Sequence, residues 1–391
     1  MKRSHLVLVP LLAALLTLAC LVGGAATPTP EGVDLVSTWA AQTLQAITPE
    51  EPPGLLPQPL YYRAPDGSGI KQVYCLDEDG VTVTQLTFEP ANVTGYDVNP
   101  LDSSLAYVAN NQLLRMNADG SGRQVLVDGG PVNQAEAYLN SVSSPLWSRD
   151  GATIAFGYMG LNFYSIATST YANVLPNYIE TFDSISLPRE LFYPAEYSPD
   201  GSRLLLDVGW YEGGSIAIYI PSSSLLVRPS FGGIFCCTAA WTPDSSAVYV
   251  ASPYLGMISS GMWRFNLDGS VNEILPMQNA DTTFNYADAP WFAPDGQMYF
   301  FYGTTPDYPN GNVPLMLVRS AMDAVTGRTP VLADTFVDYN DITWAPDGSL
   351  FIVTRPPAGE LFGAGPATVY FLDGRPPVQI LLAAEDLRWG P

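Results

Sequence analysis

Histidine is almost missing: His5 is the single copy in 391 residues, and Lys2 and Lys71 are the only lysines. If the N-terminus is removed, no imidazole remains. That excludes Ser-His-Asp and Cys-His catalysis and every zinc site that needs histidine. Bases are scarce as a class, with 16 Lys plus Arg against 38 Asp plus Glu. The net charge of −22 argues against a nucleic-acid phosphate backbone as partner. Charged residues reach only 14%, well under the usual share of about a quarter. What is plentiful points elsewhere. Apolar residues make up 47%, enough for a large core, and the chain holds 34 glycines, 35 prolines and 46 aromatics. That mixture favours many short strands and turns over long helices.

The first residues read as a targeting segment, 1–20. Met1-Lys2-Arg3 is basic, and the apolar run from Leu6 to Leu18 ends at Ala19-Cys20. The run is shorter than the roughly 20 residues a span needs and fits a secretory signal peptide. Thr17-Leu18-Ala19-Cys20 resembles the lipobox of bacterial lipoproteins, with Thr17 where that family prefers Leu. The resemblance implies lipidation of Cys20; ordinary cleavage near Gly24-Ala25-Ala26 is the other reading. Either way the protein is expected to be exported, to the outer face of a membrane if lipidated and otherwise secreted. Residues 21–56 read as a tether. Prolines at 28, 30, 52 and 53 bracket a short amphipathic helix carrying Val33, Val36, Ala40, Leu44 and Ile47.

Beyond residue 57 the chain repeats. Trp147-Ser148-Arg149-Asp150-Gly151, Tyr197-Ser198-Pro199-Asp200-Gly201, Trp241-Thr242-Pro243-Asp244-Ser245, Phe292-Ala293-Pro294-Asp295-Gly296 and Trp344-Ala345-Pro346-Asp347-Gly348 share one grammar. Asn99-Pro100-Leu101-Asp102 is a weaker member, and from Asp102 the aspartates stand 48, 50, 44, 51 and 52 residues apart. In each unit an aromatic ends a first strand and Pro-Asp-Gly makes a tight turn. A second strand, a variable loop, a third strand, a second Asp-Gly turn and a fourth strand follow. A period near 50 with four antiparallel strands is a β-propeller blade. These motifs resemble the TolB-like, WD40-like propeller repeat across residues 57–391.

The predicted fold is all-β, a seven-bladed propeller of four-stranded antiparallel blades. Residues 59–87 supply only three strands, and Asp386-Leu387-Arg388-Trp389 is an innermost strand with nothing after it. The C-terminal strand is therefore expected to pair with the N-terminal blade and close the ring.

Asp-Gly turns share one face, the bottom, while long unlike loops (128–143, 177–193, 209–214, 251–261, 302–313, 355–367) share the top. Function concentrates in variable loops on a rigid scaffold, so the top is the candidate face. Acids precede the aromatics of five innermost strands: Asp97, Glu196, Asp288, Asp341 and Asp386. They read either as an acidic channel mouth or as carboxylates satisfying neighbouring N–H groups and arginines. Trp210, Tyr211, Tyr254, Tyr308 and Tyr339 lie on or beside top loops, to stack on sugar or peptide or to cover blade ends. Cys236 and Cys237 are either a vicinal disulfide or two small buried residues. No cofactor is expected. Calcium would need about six to eight converging oxygens, and no calcium loop is present.

The leading expectation is a monomeric interaction scaffold binding an envelope protein, peptide or glycan through the top face, touching the membrane only through a lipid anchor. The alternative is a carboxylate-dependent hydrolase or lyase at the channel mouth. Peptidase relatives of the family carry a hydrolase domain after the propeller; none is expected here, which leaves the alternative only in-propeller chemistry.

Overall fold

The computed structural model describes residues 54–391 except 183–184, 232–234, 256–257, 307 and 309–312. The signal segment, Cys20 and the tether helix lie outside the described residues.

The strands form a closed seven-bladed propeller. Five sheets are single blades. The first runs Val93–Val98, Leu105–Ala109, Gln112–Met116 and Gln124–Asp128, and the second runs Ser143–Trp147 to Thr170–Pro176. The third spans Tyr178–Phe182 to Leu225–Val227, the fourth Thr238–Trp241 to Val271–Leu275, and the fifth Phe284–Phe292 to Thr329–Phe336. The sixth and seventh blades merge into one seven-stranded sheet. Its hinge is the last strand, Val378–Trp389. Residues 378–384 pair with Gly365–Phe371 as the outer strand of the sixth blade. Residues 385–389 then pair with Leu60–Pro65, Trp389 opposite Leu60 and Arg388 opposite Tyr61, as the inner strand of the seventh. The expected closure is what the chain does.

The turns explain the repeat chemically. The carboxylates of Asp150, Asp200, Asp244, Asp295 and Asp347 each accept the backbone N–H two residues on, at 2.8–3.1 Å. Such Asx turns let the next residue go left-handed, and Gly151, Gly201, Gly296 and Gly348 have φ between 63° and 80°. Ser245 takes the glycine's place at φ 60°. Its hydroxyl accepts the N–H of Asp200 at 3.1 Å, so the departure from the motif ties the third and fourth blades together.

The core is distributed. Seven apolar clusters are found, each filled by two neighbouring blades, so packing between sheets rather than within any one holds the ring. Leu56, expected in the tether, belongs to this core: it is buried between the sixth and seventh blades, and its N–H donates to Glu78 O at 2.9 Å.

Two expected top loops are structured. Residues 177–193 are not a free loop: Tyr178–Phe182 and the first half of Ile185–Tyr197 pair as a hairpin. The 209–214 segment is a tight turn, with Trp210 opposite Gly213. Alternating Ile, Thr and aromatic residues with no proline until Pro188 suffice to pair the hairpin once a blade lies beneath it.

Candidate functional site

The axial channel widens into two chambers. The upper, about 780 Å3, is lined by Arg63, Asn111, Asp207, Asn340, Asp341, Asp386 and Arg388 among others. The lower, about 720 Å3, is lined by Arg149, Glu196, Asp341, Arg388 and an aromatic and proline wall. Asp341 and Arg388 face both chambers and form the waist between them.

The five predicted acids do not share one mouth. Asp341 and Asp386 line the upper chamber, whereas Glu196 lines the lower one. Asp97 turns away into the blade interface, where its Oδ2 accepts the N–H of Trp147 at 2.6 Å. Asp288 is buried and also bridges blades. Its carboxylate accepts the Thr238 hydroxyl at 2.7 Å, the Tyr339 hydroxyl at 2.6 Å and the Ala289 N–H at 2.8 Å. The reason lies in bulges. Register slips occur between Pro194 and Glu196 and between Asp288 and Trp291, and Ala289 and Asp386 adopt left-handed φ of 45° and 52°. One extra residue in the inner strand reorients every side chain after it.

Arg388 is the residue that sequence reading missed. It stands two places after Asp386, but the bulge between Glu385 and Arg388 decides where it points, so strand alternation alone would not have placed it. Its guanidinium lies 3.2 Å from Asp386 and 3.9 Å from Asp97. The Asp386 carboxylate, then Asp97, Tyr96 and Asp341, hold the guanidinium firmly charged. Arg63 adds a second cation, 3.2 Å from Asp386 and 3.4 Å from Glu385. The mouth is therefore a charge-tied belt and not a bare acidic ring.

Asp341 is the least tied acid of the belt. The one hydrogen bond it accepts through its side chain is the N–H of Ile342, at 2.8 Å. Burial pushes its carboxyl up to about 6 against the pull of that N–H and of Arg388. Burial likewise raises Asp97 to about 6, opposed by Arg388, and Glu196 to about 7, opposed by Arg149 and then Arg388.

The candidate aromatics separate too. Tyr254 and Tyr339 share a small niche with Asp288, on which the Tyr339 hydroxyl is spent. Tyr211, Tyr254 and Tyr308 are exposed, joined on top loops by Leu361 and Phe362. Trp210 is half-buried at the third-blade turn. Tyr302, also near a top loop, donates its hydroxyl to Asn285 at 2.6 Å and carries Arg328 over its ring. Cys236 and Cys237 are bonded to one another just ahead of the fourth blade. Among the described residues no group of three acids, cysteines or histidines is placed to hold a metal ion.

No protein-family model matches the chain, and no curated protein is similar to it in sequence. Solved structures are. A prolyl endopeptidase is 11% identical, with 92% of this chain and 56% of the other covered, at a TM-score of 0.54. A manganese-bound oligogalacturonate lyase is 11% identical over 85% of this chain and 86% of its own, at 0.51. TolB of Acinetobacter baumannii is 17% identical over 82% and 77%, at 0.42. At such identities the likeness speaks for the β-propeller fold alone.

Proposed function

We propose that the protein is an exported, lipid-anchored interaction scaffold that binds a protein, peptide or glycan through the top of the propeller. The observation that carries this reading is the rim. Exposed Tyr211, Tyr254, Tyr308, Leu361 and Phe362 stand on non-repeating loops of the face where the polar upper chamber opens. Aromatic anchors beside a polar centre are the composition of recognition surfaces. Gly54 sits on the opposite face against Glu78, beside the turn joining Lys71–Leu76 to Val83–Gln85.

Replacing Tyr254 and Tyr211 together with alanine is expected to weaken partner capture from envelope extract by roughly thirtyfold or more, about 2 kcal/mol for an anchor pair. Leu225→Ala on the bottom face is expected to change nothing. Equal capture by both variants would reject the top face.

A second reading, a carboxylate-dependent hydrolase or lyase, is favoured by Asp341, whose raised carboxyl faces the chamber beside Arg388. Turnover of a glycan or ester by pure protein, abolished by Asp341→Asn, would put this reading first.

A further inference from the structure

We propose that the lower chamber is a second ligand site, taking a carboxylate carried on an apolar body, with Arg149 as its anchor. In four of the repeats a proline follows the turn's Ser, Thr or Ala, and three of those prolines, Pro199, Pro243 and Pro346, line this chamber. Arg149 occupies the corresponding place in the second blade and puts a guanidinium into the same wall. That guanidinium makes one hydrogen bond, a long one of 3.3 Å to Tyr197 O. No ion pair joins it to any described carboxylate, whereas Arg388 is already held by Asp386 and Asp97. Arg149 is the cation of this chamber that is in no ion pair, although its charge is felt by the Glu196 carboxylate.

A second, independent donor stands nearby. Trp241 lines the chamber, is 95% buried (5% exposed), and its indole N–H has no acceptor among the described residues. The indoles at the same place in later blades are satisfied: Trp344 donates to Ala289 O at 3.2 Å and Trp389 to Trp344 O at 2.7 Å. The Trp241 N–H is covered in the free protein, so an acceptor-bearing ligand reaches it only by shifting the wall above it. Trp291 and Trp344, stacked at 5.0 Å, supply the apolar wall. A side pocket of about 410 Å3, lined by Phe163, Tyr197 and Pro221, also borders Arg149. The chamber's size falls in the range of roughly 300–1,000 Å3 typical of ligand sites, and planar guanidinium is suited to carboxylate. Glu196 and Asp341 are the opposing acids of this wall. If they dominate, the chamber would prefer an amine, and that is the rival outcome.

The test is calorimetric titration of the full chain with 3-phenylpropanoate, its amide and 3-phenylpropylamine. The carboxylate is expected to bind saturably and at least tenfold more tightly than the amide, with the amine weaker still. Arg149→Pro restores the residue used by its neighbours. It should fold, because the Ser148 to Asp150 hydrogen bond of 2.6 Å matches that of Ser198 to Asp200, and the Arg149 N–H makes no hydrogen bond. It should melt like the parent and lose the carboxylate preference; Arg149→Gln gives the same comparison should the proline variant not fold. Trp241→Phe should weaken the carboxylate severalfold. Unchanged binding by a folded Arg149 variant, amine binding as tight as carboxylate, or no saturable binding of any probe would overturn the site.

Discussion

Removing Asp386–Pro391 is expected to leave a chain with no cooperative thermal transition. These six residues are the inner strand of the seventh blade, opposite Leu60–Arg63. They also carry three hydrogen bonds, two to the neighbouring blades and one within their own. The Tyr96 hydroxyl donates to Asp386 O at 2.6 Å, the Trp389 indole to Trp344 O at 2.7 Å, and the Gly390 N–H to Pro59 O at 2.9 Å. Leu387 is 1% exposed in the cluster that seals the sixth and seventh blades. Losing the strand bares a ladder edge and opens two of the blade interfaces. Truncating one buried aromatic costs about 3–5 kcal/mol, against a reserve of about 5–15 for a domain. Trp389 is only half-buried, so Trp389→Ala should lower stability by about 2–3 kcal/mol and still fold. Leu382→Ala, on the same strand but 84% exposed, should melt like the parent. A truncated chain with a parental transition would disprove the closure.

The second large effect is expected at Asp288. Asp288→Ala should lower stability by about 3–4 kcal/mol, read from the urea midpoint at constant slope. Its carboxylate joins Thr238 of the fourth blade, Ala289 of its own and Tyr339 at the edge of the sixth. Alanine strands the Thr238 and Tyr339 hydroxyls, each at about 1–3 kcal/mol when nothing replaces the acceptor, while the Ala289 N–H keeps the Thr238 hydroxyl oxygen at 2.9 Å. Asp288→Asn keeps an acceptor oxygen and sheds a charge whose burial is already unfavourable, since burial raises this carboxyl. It should cost only about 1 kcal/mol and leave partner capture intact. If Asp288→Asn keeps the parental midpoint but abolishes capture or turnover, Asp288 is a site residue and its bridging role is secondary.

The sequence carried the blade count because the Asp-Gly turn has a strict chemical demand that recurs in most blades. Closure was legible for the same reason, as Asp386-Leu387-Arg388-Trp389 matches the inner strands and has no partner of its own. The site was less legible. Position along a strand places Asp97, Glu196 and Asp288 ahead of their aromatics, but a bulge decides which way each points. The φ of 45° at Ala289 follows from tertiary context and leaves no mark on residue type. Arg388 lies beyond a bulge at Asp386, so its direction too was set by tertiary context. Arg149 was visible as an irregular repeat, yet its meaning needed the chamber that the other prolines line. Asp207, on the second strand of the third blade, carries no signal that sets it apart from any exposed strand acid.

Site-specific photo-crosslinking of the full-length protein in its native cells tests the central claim most directly. A photoreactive residue is placed in turn at Tyr211, Tyr254 and Leu361 on the top and at Leu225 and Met322 on the bottom, all exposed in the free protein. The three top positions should trap one common partner and the two bottom positions should not trap it. The same adduct from Leu225 and Met322, with none from the top, would contradict recognition through the top face.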